Sequence, residues 1–166
     1  MSYTYYYTYM ESPLGRLLLA GDVDRLRLIG FPSGRMARGA NPAWRRADAP
    51  FRIVVRQLEE YFAGERREFD LPLAPQVTEF QGRVLAALRA IPYGETRSYR
   101  DVAVAVGNPR AVRAVGGANA ANPLPIVIPC HRVIGSGGDL TGFGGGMDAK
   151  RYLLDLERSH SGLFGA

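Results

Sequence analysis

The chain is poor in the residues that build most metal and disulfide sites. Its 166 residues include one cysteine, Cys130, two histidines, His131 and His160, one tryptophan and one lysine, Lys150. A single thiol excludes an intramolecular disulfide, and so small a set of Cys and His excludes a zinc site built from several of them. No motif for a cofactor is present, and neither a metal nor a cofactor is expected. No apolar run approaches the roughly 20 residues that span a bilayer. The start, Met1-Ser-Tyr-Thr-Tyr, lacks a basic stretch followed by an apolar one, so no secretion signal is expected. At 46% hydrophobic and 22% charged, the composition excludes a disordered or collagen-like chain. The expectation is a cytoplasmic protein with a free thiol, built as one domain or two small ones.

Acidic residues are also in deficit, with 16 against 21 cations, and every cation but Lys150 is an arginine. The surplus is local. Residues 80–132 hold Arg83, Arg89, Arg97, Arg100, Arg110, Arg113 and Arg132 against only Glu95 and Asp101. Such a surplus is the electrostatic footprint of phosphate binding, although an arginine-rich composition with solvated side chains would look the same.

The first half reads as a small β-rich unit closed by a helix. Tyr3, Tyr5, Tyr7 and Tyr9 alternate with Thr4, Tyr6, Thr8 and Met10, the period of a strand with one aromatic face. Such rings cover a sheet more often than they stack on bases. Leu14–Ala20 and Leu26–Phe31 are further strand candidates around the turn formers Gly21-Asp22. Residues 32–49 read as a loop. Pro50 opens a helix with the stripe Phe51, Val54, Val55, Leu58 and Phe62, and Gly64 ends it. Residues 70–76 read as a linker, placing an N-terminal unit at 1–75 and a C-terminal unit at 76–166.

The second half carries sharper local signals. Thr78-x-x-Gln81 is a capping box before a helix with Phe80, Val84, Leu85 and Leu88, which stops before Pro92. Ser98-x-x-Asp101 caps a short helix that Gly107 breaks, and Asn108-Pro109 is read as the start of the next. Two short helices joined by a tight turn predict a helix-turn-helix. The second, from Arg110 to Ala120, is built of small residues apart from Arg110 and Arg113, so its backbone can approach another surface closely.

Asn122-Pro-Leu-Pro-Ile-Val-Ile-Pro-Cys130-His-Arg is the densest chemical signal. Ile126-Val-Ile reads as a short buried strand delivering Cys130. A lone cysteine is usually a small core residue. Here His131 and Arg132 adjoin it, and nearby cations favour the nucleophilic thiolate. In an extended segment the His131 side chain points away from Cys130, so a bridging water serves better than direct contact. A third group would orient the imidazole. Glu157 is the candidate, at the border of a helical stripe formed by Ala149, Tyr152, Leu153 and Leu156; a solvated surface glutamate is the alternative. Gly135–Gly146 holds seven glycines but no following Lys-Ser or Lys-Thr, and reads as a pocket wall and not as a phosphate loop.

Pro129-Cys130-His131-Arg132-Val133, together with Ile91-Pro-Tyr-Gly-Glu-Thr, Arg113-Ala-Val-Gly-Gly-Ala-Asn and Leu140-Thr-Gly-Phe-Gly-Gly-Gly, strongly resembles the O6-alkylguanine-DNA alkyltransferases. The likeness is nearly continuous from Phe80 to Glu157; the first half matches only in size and layout. The resemblance implies an α+β chain, with a small sheet-plus-helix unit of ribonuclease H-like layout and a mainly helical unit carrying the helix-turn-helix.

It also implies a function: direct reversal of DNA damage by one irreversible transfer of an alkyl group to Cys130, after the base is flipped from the minor groove of double-stranded DNA. O4-alkylthymine is a second candidate substrate. The catalytic set carried over is Cys130, His131, Glu157, Tyr99 and Asn122. The DNA-facing set is Tyr99, Arg110, Ala111, Arg113, Gly116, Gly117, Ala118 and Asn119, with Arg113 filling the vacated stack. Pro125, Val133, Phe143 and Gly144 would form the base pocket. A monomer without membrane contact is expected. Phe143 replaces a common tyrosine, and Leu85 a common tryptophan. Two other readings stay open: a non-catalytic lesion-binding relative, and a Cys-His-Glu hydrolase.

Overall fold

The computed structural model describes residues 4–34, 37–140, 142–143 and 145–164. Strands β1 (Tyr6–Ser12) and β2 (Gly15–Gly21) form an antiparallel hairpin in which Tyr6 faces Gly21 and Ser12 faces Gly15. Gly15 turns the hairpin at φ +98°, and the Ser12 hydroxyl accepts from Leu14 N at 3.0 Å. Strand β3 (Leu26–Gly30) adds antiparallel to β2. The stretch read as a loop contributes a short strand, β4 (Arg45–Arg46), parallel to β1, so the sheet order is β3-β2-β1-β4. Two polar residues carry no alternation that could announce it.

Alternation sorts the two faces. Leu17 and Leu19 are fully buried on the inner face, while Leu18, Ala20 and Leu28 lie under Tyr7, Tyr9, Ala40 and Trp44 on the outer one. Tyr7 and Tyr9 therefore cover the sheet, edge-on to each other at 5.9 Å with the Arg16 guanidinium 4.1 Å above Tyr9, while Tyr3 lies outside the described residues.

Against the inner face lies helix α1 (Arg52–Phe62), entered through a 3-10 turn at Ala49–Phe51 and not directly at Pro50. Its buried face is Val54, Gln57, Leu58 and Tyr61. The supposed linker is fastened: Gln57 bonds the Asp70 backbone through both amide atoms, and Leu26 exchanges backbone bonds with Pro72 and Ala74 at 2.9 Å.

Both capping boxes form, before α2 (Glu79–Arg89) and α3 (Tyr99–Ala105). Gly107 takes φ +85° as expected of a helix stop. The next helix, α4 (Val112–Ala120), starts later than expected, with Ala111 as its N-cap. Asn108 is spent on a turn instead: its side chain accepts from Arg110 N at 3.3 Å and its carbonyl from Ala111 N at 3.0 Å. Arg110 consequently lies in the turn, not on the helix.

The expected strand at 126–128 is absent. Prolines at 123, 125 and 129 remove three backbone donors, and Asn122 pins the loop by donating to Ile128 O at 2.8 Å and accepting from Leu124 N at 3.0 Å. Ile126 sits inside it at φ +75°, the sole positive φ of a non-glycine among the described residues. A 3-10 turn, Cys130–Arg132, follows where an extended segment was expected. Strand β5 (Arg97–Ser98) pairs in parallel with β6 (Val133–Ile134).

Helix α5 (Met147–Phe164) closes the molecule. Its buried stripe contains Ala149, Leu153 and Leu156 as expected, but Tyr152 is exposed, and Leu154 and Lys150 are buried instead. The apolar core is continuous, from Leu17 and Leu58 through Leu88 to Leu124 and Leu153. Among the described residues no helix is long and apolar enough to cross a membrane.

Gly64 ends α1 at φ +77°, and a Cβ there would lie 2.3 Å from the His160 ring on α5. Gly64→Ala combines backbone strain with that collision and is expected to destabilise the fold by about 1–3 kcal/mol in urea unfolding. An unchanged midpoint would contradict this packing.

Candidate active site

Cys130, His131 and Arg132 share one 3-10 turn, and all three are buried. The turn is held from outside. Asn119 on α4 donates to Cys130 O at 3.4 Å, while Asn122 bridges the preceding loop. Arg132 donates to Ile91 O at 2.7 Å at the end of α2.

Glu157 organises the charge. At 1% exposure it is a buried residue, not a border one, because α5 packs directly over the Cys130 turn. Its Oε2 accepts from Tyr61 Oη at 2.6 Å, faces His131 Nε2 at 2.6 Å and accepts from Arg132 Nη2 at 3.0 Å. Its Oε1 accepts from Arg132 Nε at 2.8 Å and from Gly94 N at 3.1 Å. Burial alone would push this carboxyl up. The hydrogen bonds and charges of His131 and Arg132 outweigh that and hold it well below the ordinary carboxylate range.

An ionised Glu157 fixes the tautomer of its neighbour. It has no proton to donate, so the 2.6 Å contact requires the hydrogen to sit on His131 Nε2. Burial pushes the imidazole below its usual value against the upward pull of Glu157, which favours the neutral ring. Nδ1 is then a bare acceptor, and it is buried with no hydrogen-bond partner among the described residues.

The expectation that His131 and Arg132 hold Cys130 as a thiolate is corrected. The Arg132 guanidinium is committed to Glu157, the imidazole is neutral, and burial pushes the Cys130 thiol up to about 11. A hydrogen bond from Asn122, the charge of Lys150 and the backbone of Cys130 itself draw it back only in part. Lys150 is itself fully buried, donates to Val133 O at 2.6 Å, and is pushed down to about 8 by burial. A thiol so placed is ionised in only about one molecule in 10⁴ at pH 7, so it reacts only when a base removes its proton.

Cys130 opens on a cavity of about 20 Å³, room for a water molecule but not for a nucleobase. Pro125 and Phe143 line it with Cys130, Asn119 and Asn122, while Phe31 and Arg38 enter from the first half of the chain. Phe31 and Phe143 meet edge to face at 5.4 Å. Val133 lines β6 and not the cavity, its carbonyl occupied by Lys150. Gly144 lies outside the described residues.

On the helix-turn-helix, Arg110, Arg113 and Gly117 are exposed, and the Tyr99 ring lies 4.0 Å from where a Gly116 Cβ would stand. Ala111 is half-buried. Ala118 and Asn119 were expected on the DNA face but turn inward, Asn119 toward the Cys130 carbonyl. The sequence reading passed over Tyr61, Phe31, Arg38 and Lys150. Tyr61 alone was signalled, since it stands seven residues after Val54 on the same helical face. Among the described residues no group of three or more His, Cys, Asp or Glu could hold a metal ion.

Fold and site together define a class: a sheet unit and a helix-turn-helix unit closed over a buried cysteine that adjoins a histidine–glutamate pair. Two family models match the chain, the ribonuclease-like domain of 6-O-methylguanine DNA methyltransferase over residues 5–75 and its DNA-binding domain over residues 79–159. The chain belongs to the 6-O-methylguanine DNA methyltransferase family. It is 51% identical over 154 residues to the methylated-DNA–protein-cysteine methyltransferase of Methanosarcina acetivorans, covering 93% of this chain and 99% of that relative. Against the enzyme of Haemophilus influenzae it is 47% identical, covering 92% and 86%. The crystal structure of Mycobacterium tuberculosis OGT in complex with DNA superposes with a TM-score of 0.88 at 47% identity, covering 93% of this chain and 94% of that one.

Removing the charge of Glu157 leaves Arg132 buried without its counterion. Glu157→Gln is expected to lower stability by about 3–5 kcal/mol at pH 7. The sign with pH follows. A carboxyl held below its unfolded value of about 4.3 stabilises the fold fully above that value, and the contribution is lost as pH falls toward the folded one. Urea unfolding of Glu157→Gln should therefore show a shallower acid slope below about pH 4 than the parent. Equal stability and equal slopes would contradict an ionised, paired Glu157.

Proposed function

We infer that the protein is a methylated-DNA–protein-cysteine methyltransferase, which repairs DNA by taking the alkyl group of O6-alkylguanine onto its own Cys130. The observation that carries this is a buried thiol beside a His131–Glu157 pair whose only bare nitrogen is Nδ1, behind a helix-turn-helix with exposed arginines.

The protein binds double-stranded DNA with Arg110, Arg113 and the small-residue face of α4, entering from the minor groove as a monomer in the cytoplasm. A reacting alkyl group is hard to approach while its base is stacked, so the base is flipped toward Cys130. The 20 Å³ cavity is too small for it, and the wall carrying Phe143 and Pro125 gives way as the base enters. Arg113 fills the vacated stack.

Proton transfer then activates the thiol. His131 Nδ1 takes the Cys130 proton through a bridging water, and Glu157 stabilises the imidazolium that forms. The sulfur attacks the alkyl carbon in line, the carbon–O6 bond breaks, and the electron pair leaves on guanine, which takes a proton from Tyr99. The thioether has no leaving group suited to water, so the protein acts once.

Intact-mass measurement after mixing with methylguanine duplex should find one added methyl group per protein, mapped to Cys130. Cys130→Ala should still bind the duplex. Several transfers per protein would indicate hydrolysis instead, and methyl on another residue would reject Cys130.

Arg113 and Arg110 should separate. Unstacking a base costs a few kcal/mol in a duplex and less where the base is unpaired. Arg113→Ala should therefore slow repair of duplex strongly and of single-stranded or free alkylguanine far less. Arg110→Ala should weaken binding uniformly and lower the salt slope by about one, as a phosphate contact does. Equal slowing of all three substrates by Arg113→Ala would place that residue in the site itself.

A further inference from the structure

We propose that Tyr61, contributed by the N-terminal sheet unit, is a positioning residue for alkyl transfer: its hydroxyl donates to the Glu157 oxygen that faces His131 and so sets how strongly that carboxylate polarises the imidazole. The inference rests on the assignment of His131 as the base that serves Cys130.

The geometry carries it. Tyr61 lies on α1, more than ninety residues before Glu157, and is fully buried. Its hydroxyl and the His131 Nε2 meet the same atom, Oε2, each at 2.6 Å. Such short contacts to a carboxylate belong to the strong, charge-assisted class. The two donors compete for one oxygen, since each bond draws electron density from it. Nothing in packing requires this: a phenylalanine would fill the same apolar wall of Phe62, Phe69 and Tyr93. The buried hydroxyl is kept where its single strong acceptor is the group that holds the histidine.

Other charged groups around the imidazole are accounted for. Arg132 and Lys150 oppose its protonation, Glu157 favours it, and Cys130 precedes it on the same turn. Tyr93 faces Glu157 from the Pro92–Glu95 turn, with the Arg67 guanidinium 5.2 Å from its ring. None of these but Arg132 bonds Oε2, so the hydroxyl of Tyr61 is the adjustable partner.

Without the hydroxyl, Oε2 becomes a better acceptor for His131 Nε2–H. The imidazolium is then favoured, and the neutral base is lost at a higher pH. In Tyr61→Phe the Nε2–H proton resonance should move downfield, and the acid limb of the transfer rate should rise by about one pH unit. A ring-fluorinated tyrosine at position 61 is a stronger donor without a change in packing, and should move both readings the other way. Glu157→Gln replaces the shared carboxylate with a neutral amide, so Tyr61→Phe in that background should move the limb far less than it does in the parent.

Opposite movements in the two variants support the proposal. A lowered rate with resonance and limb unmoved would make the hydroxyl structural only and overturn it, as would no change at all. Should Tyr61→Phe fail to fold, the fluorinated protein alone gives the answer. Transfer by the unmodified protein is measured alongside: if it does not methylate Cys130, the proposed function fails, whereas the resonance still reports on Tyr61.

Discussion

A buried carboxylate must be surrounded by donors, and this requirement at Glu157 arranges much of the molecule. Five donor contacts from three chain segments converge on its two oxygens, carried by α5: Tyr61 on α1, Gly94 in the turn after α2, and His131 and Arg132 on the Cys130 turn. A single missing donor would leave charge exposed to an apolar interior. The carboxylate therefore acts as a joint between the two halves of the chain. It also determines which nitrogen of His131 carries the hydrogen, so one electrostatic constraint serves both folding and chemistry.

The same burial keeps the nucleophile quiet. Cys130 is almost wholly excluded from solvent, and its surroundings favour the thiol over the thiolate. A permanently ionised sulfur would meet oxidants and stray electrophiles, and a protein that acts once is lost with every such encounter. In the proposed mechanism the proton stays on sulfur until a base is aligned, which makes reactivity conditional on the pocket being filled. Lys150 fits this arrangement, since a buried ammonium near the sulfur favours the thiolate as it forms.

What could be read in the sequence follows physical range. Capping boxes, helix stops and the hairpin depend on neighbours within a few positions, and Thr78, Ser98, Gly107 and the β1 alternation all formed as their local chemistry predicts. The second helix of the helix-turn-helix began late because Asn108 had two local uses, and the side chain went to the turn. Ile126-Val-Ile failed as a strand since flanking prolines and Asn122 dictate a loop that no hydrophobic run can override. Glu157 was identifiable as a candidate by its spacing from Leu153, but its burial depends on α5 lying over a turn far away in sequence. Lys150 was hidden for the same reason, and the helical spacing of Tyr61 announced its burial but not its bond to Glu157. Their partners are set by tertiary packing, which leaves no periodic trace.

The N-terminal half carries no short chemical motif, but its likeness to the family is more than one of size and layout, since the ribonuclease-like family model matches residues 5–75. It also supplies parts that the pocket cannot do without. Ile29 N on the edge strand donates to Pro123 O at 2.9 Å, fixing the loop that leads to Cys130. Phe31, just beyond that strand, packs edge-on against Phe143, and a Cβ on Gly145 would lie 2.9 Å from its ring. The far wall of the cavity is thus shaped by two aromatic rings from opposite halves, with a glycine where a side chain would collide. A sheet can meet such demands with many sequences, because they fix the position of an edge and a few side chains and leave the other residues free to vary. The Cys130 segment has no such freedom, since its backbone, its thiol and its imidazole must all stand in one place. Dense motifs in one half and none in the other are what that difference in constraint produces.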